Sequence, residues 1–195
     1  LWPHMYTDLF CVANEYMAET LRPRKVLENR IQITGIPASP DFSRTYDKDE
    51  MRKRFDLPED KQIVLFLAGA SLPRPYVHFR NSIDQIMPYM HTYTNMHMVI
   101  VAGKDAEYAD ALRRKVGEYG LKNITVLEYV DGMAGLMAAS DLVVCKSGGL
   151  TVTEILCIGV PMILLGKAYG QEKANVSMLT ASGAALHVTT ARELV

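Results

Sequence analysis

Short apolar runs alternate along the chain with stretches whose apolar residues recur at helical spacing. The runs are apolar throughout rather than alternating with polar residues, as is typical of parallel strands covered on both faces. Strands are predicted at residues 9–12, 62–67, 97–102, 124–127, 142–145, 161–164 and 185–188.

Helical patterns lie between these runs. Phe79, Ile83, Ile86, Met87 and Met90 form the clearest stripe, at intervals typical of one helix face. Weaker stripes cover residues 109–116, 133–137 and 174–181. Repeated strand–helix units favour a parallel sheet with right-handed crossovers, so the predicted fold is an α/β domain of Rossmann type with helices on both faces.

The first forty residues differ from the rest. They combine a strand and a helix over residues 8–21 with a basic stretch, Arg22, Arg24, Lys25 and Arg30. Such a stretch is usually a solvated face, and the alternative is attraction to anionic lipid headgroups, worth about 1 kcal/mol per basic side chain. We expect residues 1–40 to be a lead-in from an interdomain hinge and the end of a preceding domain, and residues 41–195 to be the Rossmann-like domain.

The ends of the chain suggest a piece of something longer. It starts at Leu1 without an initiator Met, and residues 191–195 look like the opening of a helix that continues. Length, at 195 residues, fits about one domain, with 49% hydrophobic and 22% charged residues as in globular proteins. A net charge of -1 gives no global field to attract nucleic acid, and no apolar run is long enough for a membrane helix.

Cysteine usage indicates a reducing compartment. Cys11, Cys145 and Cys157 are odd in number and lie among apolar neighbours, which predicts buried, reduced thiols in a cytoplasmic protein. The five histidines are scattered, with no pair at helical ligand spacing, so no metal site is predicted.

The strongest candidate site is the loop that follows strand 142–145. Gly148 and Gly149 let the backbone approach a ligand closely, and the helix that starts there offers free N–H groups suited to a diphosphate. Thr151 adds a hydroxyl, and Glu154 can accept hydrogen bonds from ribose hydroxyls. Alternatively, Thr151 and Glu154 form a capping box that bonds only backbone, and the two glycines make a tight turn.

Two further loops follow predicted strands. In the segment 170–175, Gln171 and Asn175 share one helix face, and their amides suit sugar hydroxyls; N-terminal capping on a solvated face is the alternative. Residues 68–71 are small enough to face a phosphate or a sugar, but they match neither a dinucleotide fingerprint nor a P-loop. No catalytic group and no general base can be assembled from spacing within this chain.

Taken together, these motifs resemble a known family. Gly148-Gly149-Leu150-Thr151-x-x-Glu154, then Gly159-x-Pro161, then Gly170-Gln171-Glu172-x-x-Asn175 is similar to the C-terminal domain of the inverting lipid glycosyltransferases of GT-B fold. That group includes monogalactosyldiacylglycerol synthases, processive diacylglycerol glucosyltransferases and the N-acetylglucosaminyltransferase of peptidoglycan lipid synthesis. Residues 6–13, 33–37, 67–70, 101–104 and 128–133 agree with the diacylglycerol branch.

The resemblance implies a UDP-sugar site without metal or cofactor. It assigns the diphosphate to Gly148, Gly149, Leu150 and Thr151 with Gly69, Ala70 and Ser71, the ribose to Glu154, the uracil to Tyr129 and Val130, and the hexose to Gln171, Glu172 and Asn175. The acceptor groove and the catalytic base are expected in an N-terminal domain outside this chain. The implied activity is transfer of glucose or galactose from UDP-hexose to a lipid, with diacylglycerol as the first candidate, on the inner face of the cell membrane.

Several departures from the family pattern leave the donor and the acceptor open. Ser147 stands where the family often has proline, residues 167–169 replace a Pro-x-Pro, and residues 72–75 replace a glycine-rich loop. The alternatives are a non-catalytic donor-binding subunit, N-acetylglucosaminyl transfer to a polyprenyl-linked acceptor, and a UDP-sugar epimerase.

Overall fold

The chain divides into two compact units, Leu1–Ser39 and Pro40–Val195. The computed structural model describes residues 3, 4, 6–69 and 77–194, and for Gln171 it describes the backbone alone. Each unit has a hydrophobic core of its own.

In the first unit, two short parallel strands pack with one helix. Strand β1 (Phe10–Val12) pairs with β2 (Ile31–Ile33), and α1 (Glu15–Leu21) lies between them in sequence. Asn14 begins the helix, because its side-chain oxygen accepts a hydrogen bond from the Met17 N–H. The strand and helix over residues 8–21 are confirmed, whereas β2 was not predicted, since three residues carry too little periodicity.

The second unit is built on a six-stranded parallel sheet, which confirms the predicted fold. Its strand order is β5-β4-β3-β6-β7-β8. The strands are β3 (Gln62–Leu67), β4 (Met96–Val101), β5 (Ile124–Leu127), β6 (Leu142–Cys145), β7 (Met162–Leu165) and β8 (Ala185–Val188). Each strand overlaps a predicted apolar run, because strands covered on both faces have few polar positions.

Helices cover both faces of this sheet. They are α2 (Lys48–Arg54), α3 (Val77–Ile86), α4 (Ala106–Glu118), α5 (Met133–Ala139), α6 (Gly149–Ile158) and α7 (Gln171–Ala181). One core cluster joins α3 and α4 to the sheet through Phe79, Ile83 and Leu112. The other joins α2, α5, α6 and α7 to the opposite face, so the sheet lies between two helix layers.

Two helical segments differ from the sequence-based expectation. Helix α2 was missed, although Asp47 caps it by accepting from the Glu50 N–H and its charges run from acidic to basic, as the helix dipole favours. The stripe over residues 79–90 is split, because Pro88 ends α3 and a 3-10 helix, Met87–Thr92, follows. Near the end of the described chain, residues Ala191–Glu193 form one 3-10 turn, in which the Glu193 carboxylate accepts bonds from Thr189 and Thr190, and the helix expected to continue from it stays a prediction.

The cysteines are only partly as predicted. Cys145 is buried, and burial raises the pKa of its thiol to about 12. Cys11 and Cys157 are exposed, so the prediction of burial is wrong for both. Cys11 lies on a three-residue strand and Cys157 on the outer side of α6, where apolar sequence neighbours do not imply burial. All three thiols are free, and among the described residues no helix combines the length and the apolar character needed to cross a membrane.

Candidate functional site

The candidate site lies where the strand order reverses, between β3 and β6. The chain runs from β3 outward to β4 and β5, then crosses to β6 and continues in the other direction to β7 and β8. Loops on the two sides of such a switch point diverge and leave a crevice at the carboxyl ends of the strands, where ligands bind in doubly wound sheets. Gly69 follows β3 and Gly148 follows β6, so both predicted loops border this crevice.

Gly69 belongs to a close approach of two backbones. A Cβ added at this residue would come within 2.8 Å of both Cα and N of Gly103, the second residue after β4. Ala68 N–H donates to the Val101 carbonyl at 2.9 Å, which continues the strand pairing up to this contact. Glycine at position 69 is therefore required by the fold itself. Ala70 and Ser71, the other predicted members of this loop, lie outside the described residues.

Gly148 differs, because nothing in the fold demands a glycine there. Its φ of −70° is open to any residue, and a Cβ added to it would meet no described atom within 4 Å. Gly148 is the N-cap of α6, so the helix begins without a capping side chain. The N–H groups of its first turn, at Gly149, Leu150 and Thr151, have no partner within the helix and carry its partial positive charge. The predicted diphosphate loop thus has the geometry of an anion site.

Glu154 lies in the second turn of α6. The capping-box alternative is wrong, because the helix begins at Gly149 and Thr151 already lies inside its first turn. Within the described part of the chain, the Glu154 carboxylate has neither a hydrogen bond nor an ion pair, although the residue is half-buried. Burial raises the pKa of this carboxyl above its ordinary value. A half-buried acid whose pKa is raised by burial is a candidate for a ligand-binding position.

The start of α7 is joined to the same loop by two side chains. Asn175 Nδ2 donates to the Ser147 carbonyl oxygen at 2.9 Å, and Lys146 Nζ lies 3.3 Å from Glu172 Oε1. Helix α7 begins after Gly170, whose φ of 54° and ψ of −122° are accessible almost only to glycine. The structure therefore brings Glu172 and Asn175 to the Gly148 loop. The side chain of Gln171, the third residue predicted for the hexose, lies outside the described part.

The two residues predicted for the uracil follow β5. Tyr129 is 66% exposed, and the Lys104 ammonium lies 5.2 Å from the centre of its ring. Val130 is half-buried and packs against the core below. Leu150, the second residue of α6, is also largely exposed. Tyr129 and Leu150 are thus exposed side chains that follow strands β5 and β6 at the carboxyl edge of the sheet.

Sequence reasoning missed a polar cluster at the opposite, amino edge of the sheet. Asp141 accepts hydrogen bonds from Arg52 Nη2 and the Ile63 N–H, both at 2.7 Å, and from Lys48 Nζ. Burial acts to raise the pKa of Asp141, but the hydrogen bonds from Lys48 and Ile63 and the charges of Lys48 and Arg52 outweigh it and lower the pKa. Asp141 directly precedes a strand, yet its partners on α2 lie about ninety positions away, so no local pattern indicates them.

A second missed cluster lies beyond β4. Asp105 caps α4 by accepting from the Tyr108 N–H, and it is paired with Arg80 Nη1 at 2.7 Å. The Arg80 guanidinium lies over the Tyr108 ring at 3.9 Å. The Arg80 hydrogen bond, followed by the Tyr108 N–H bond, lowers the pKa of Asp105. These contacts tie α3 to the loop that holds Gly103.

Comparison with known proteins supports the predicted resemblance. The model of the glycosyltransferase family 28 C-terminal domain matches residues 65–194. The processive diacylglycerol beta-glucosyltransferase of Bacillus licheniformis is 30% identical over 195 residues, which cover the whole chain and 49% of that protein. The chain therefore spans about half the length of the curated relatives it matches.

Two further matches fall at lower similarity. The UDP-N-acetylglucosamine--N-acetylmuramyl-(pentapeptide) pyrophosphoryl-undecaprenol N-acetylglucosamine transferase of Acetivibrio thermocellus is 28% identical over 162 residues, covering 82% of this chain and 42% of that protein. The structure described as the S. aureus MnaA-UDP co-structure matches with a TM-score of 0.70 at 16% identity, covering 94% of this chain and 47% of the other. At that identity the structural match establishes the fold alone.

Proposed function

Because this chain belongs to glycosyltransferase family 28, as its C-terminal domain, we propose that it binds a UDP-hexose at the crevice between β3 and β6. In this proposal the diphosphate lies on the N-terminus of α6, at Gly148, Gly149, Leu150 and Thr151, with residues 69–71 lining the cleft beside it. Glu154 accepts the ribose hydroxyls. Tyr129 and Val130 frame the uracil, and Gln171, Glu172 and Asn175 bind the hexose.

The observation that carries this proposal is the state of Glu154. Its carboxylate is half-buried and without a partner in the described part of the chain, and it lies on a helix whose first turn offers uncapped N–H groups. Two vicinal hydroxyls of a ribose would supply the hydrogen bonds that the carboxylate lacks. A nucleoside diphosphate fits both features at once, because its phosphates meet the helix N-terminus while its sugar lies beside the second turn.

The proposed reaction is a single displacement with inversion. A hydroxyl of a lipid acceptor, with diacylglycerol as the first candidate, attacks the anomeric carbon after losing its proton to a base outside this chain. The bond to UDP breaks, and the negative charge that grows on the leaving phosphate is stabilised by the N–H groups of α6. We place the reaction at the cytoplasmic face of the membrane. There Arg24 and Lys25 would contact anionic headgroups, while Arg22 is already paired with Glu15 and Glu28.

The decisive experiment is calorimetric titration of the full chain with UDP, UDP-glucose, UDP-galactose and UDP-N-acetylglucosamine. We expect the wild type to bind UDP, and Glu154→Ala to weaken UDP binding at least tenfold, since hydrogen bonds to a charged group contribute about 1.5–3 kcal/mol. Glu118→Gln, at the exposed end of α4, is the matched control and should bind as the wild type does.

Unchanged UDP affinity in Glu154→Ala would remove the ribose assignment. A wild type that binds none of the four compounds would remove the donor site as a whole. The same titration decides between donors. The Acetivibrio thermocellus relative, named as an N-acetylglucosamine transferase, makes N-acetylglucosaminyl transfer to a polyprenyl-linked acceptor the second candidate. Preference for UDP-N-acetylglucosamine over UDP-glucose would favour it.

A further inference from the structure

Helix α7 and the β6–α6 loop are held together by two contacts that involve the residues proposed to bind the hexose. The Lys146 ammonium lies 3.3 Å from the Glu172 carboxylate, and Asn175 donates to the Ser147 carbonyl oxygen at 2.9 Å. Glu172 and Asn175 are three positions apart on α7, so they share one face of the helix, and that face meets the loop.

The Lys146–Glu172 ion pair is more shielded than the typical surface pair of this protein. The side chains of Lys146 and Glu172 are 18% and 27% exposed, whereas those of Arg113 and Asp110 are 43% and 60% exposed. Water and salt screen shielded charges less, so this pair holds its geometry better than an exposed one does. The pair lies next to Gly148, the residue at which the proposed diphosphate site begins.

The Glu172 carboxylate has a second possible interaction, with the N-terminus of its own helix. It is the second residue of α7, and Gly170, at the N-cap, brings no side chain to the helix start. A carboxylate in the first turn is attracted by the N–H groups and the partial positive charge of its own helix. The Lys146 ammonium opposes this attraction, because it holds the carboxylate toward the β6–α6 loop.

We propose that Lys146 is a positioning residue that sets the Glu172 carboxylate for the donor hexose, while the diphosphate is held by the N-terminus of α6. This inference rests on the proposed function and adds a role for a residue that the motif analysis left unassigned. Its consequence is selective: the loss of Lys146 affects recognition of the sugar and leaves recognition of UDP intact.

The test compares two ligands on each variant. We expect Lys146→Met to raise the dissociation constant for UDP-glucose about tenfold while that for UDP changes less than about twofold, a coupling in the range found for contacting residues. Lys146→Arg keeps the positive charge and should restore most of the affinity for UDP-glucose. Lys173→Met, an exposed lysine on the same helix, is the matched control and should resemble the wild type for both ligands.

A double-mutant cycle asks whether Lys146 acts through Glu172. In the background of Glu172→Gln, Lys146→Met should cause no further loss of UDP-glucose affinity. A merely structural lysine would weaken UDP and UDP-glucose alike and would still do so in that background. Thermal unfolding of each variant checks the fold, and Lys146→Gln replaces Lys146→Met if the latter does not fold.

Further outcomes of the same titrations would overturn the inference. Equal weakening of UDP and UDP-glucose by Lys146→Met would mean that the ammonium contacts the diphosphate or that the loop has collapsed. Unchanged affinity for both ligands would leave the ion pair without a role in binding. If the wild type binds UDP and UDP-glucose with equal affinity, the hexose contact of Glu172 is refuted and the UDP site remains. If the wild type binds neither ligand, the proposed function itself is refuted.

Discussion

Asp141 and Glu154, both partly buried, stand in contrasting surroundings in the same α/β unit. Asp141, at the amino edge of the sheet, accepts from two cations and one backbone N–H, and its pKa is lowered. Glu154, on the helix that leaves the carboxyl edge, has no partner in the described part of the chain, and burial raises its pKa. The fold uses the first carboxylate in hydrogen bonds and ion pairs, whereas the second makes neither within the described residues, and for that reason we propose a ligand there.

The two glycines at the carboxyl edge show the same contrast. Gly69 is held against the Gly103 backbone, where no side chain fits. Gly148 has an ordinary φ and open space around its Cα. Both comparisons apply one physical criterion. A residue whose type is explained by contacts inside the fold, such as Asp141 or Gly69, is structural. A residue whose type no such contact explains, such as Glu154 or Gly148, is a candidate for ligand binding.

The largest expected effect concerns Asp141. Asp141→Asn leaves the buried Arg52 guanidinium and Lys48 without their anionic partner. We expect the free energy of unfolding to fall by about 2–3 kcal/mol, which is less than for a fully buried pair because the carboxylate is partly exposed. Urea unfolding at pH 7 measures this loss. UDP affinity should not change, and Asp110→Asn, in an exposed pair, should cost less than about 0.5 kcal/mol.

The loss of stability caused by Asp141→Asn should also depend on pH. A carboxyl whose folded pKa is lowered stabilises the protein above its unfolded pKa, about 3.9 for aspartate, and this stabilisation disappears as the pH falls through the folded value. The stabilities of wild type and Asp141→Asn should therefore begin to converge below about pH 3.9 and meet only below the lower folded pKa. A gap that persists at low pH would mean that Asp141 contributes through shape rather than charge.

The second prediction separates the two glycines. Gly69→Ala pushes its methyl group into the Gly103 backbone, and we expect it to cost about 1–3 kcal/mol of stability. Gly148→Ala should change stability by less than about 0.5 kcal/mol, yet weaken UDP about tenfold, because the methyl group occupies the space through which the phosphates approach the N–H groups.

Urea unfolding measures the stability of each glycine variant, and calorimetry on the same preparations measures its UDP affinity. Gly117→Ala, in α4, where an added Cβ meets no described atom, is the control and should gain up to about 1 kcal/mol from helix propensity. Normal UDP affinity in Gly148→Ala would make that glycine an ordinary loop residue and would weaken the contrast with Gly69.

The smallest effect is expected for the stability of Glu154 variants. Glu154→Gln removes a partly buried charge without a partner, so we expect it to stabilise the fold by about 0.5 kcal/mol at pH 7 while it weakens UDP binding. The sign is opposite to that of Asp141→Asn. A raised folded pKa means that ionisation disfavours the folded state, so the gain should vanish as the pH falls below the unfolded value of about 4.3.

A loss of stability in Glu154→Gln at neutral pH would show that the carboxylate has a structural partner. The comparison between the two acids would then fail. Stabilisation together with weaker UDP binding is the pattern expected where a fold bears a cost for a ligand site.

Much of this architecture was predictable from sequence, for identifiable reasons. Strands covered on both faces appear as continuous apolar runs, so β3 to β8 were predicted within a residue or two. The glycines of the β6–α6 and β7–α7 loops also indicated two loops that the structure brings into contact, since parallel strands bring their following loops to one edge. Helix α2 was missed because its signal lies in its cap and charges rather than in an apolar stripe.

The sequence by itself thus determined the fold class and the loops that follow the strands at the carboxyl edge of the sheet, because these depend on local periodicity, whereas the strand order that separates β3 from β6 came from the tertiary structure. Only the tertiary structure decided which members of the motifs are used internally. It showed that Gly69 is required by Gly103, that Asn175 and Glu172 hold the Gly148 loop, and that Glu154 is not a cap. Each of these depends on contacts between segments distant in sequence or on where a helix begins, and sequence spacing determines neither.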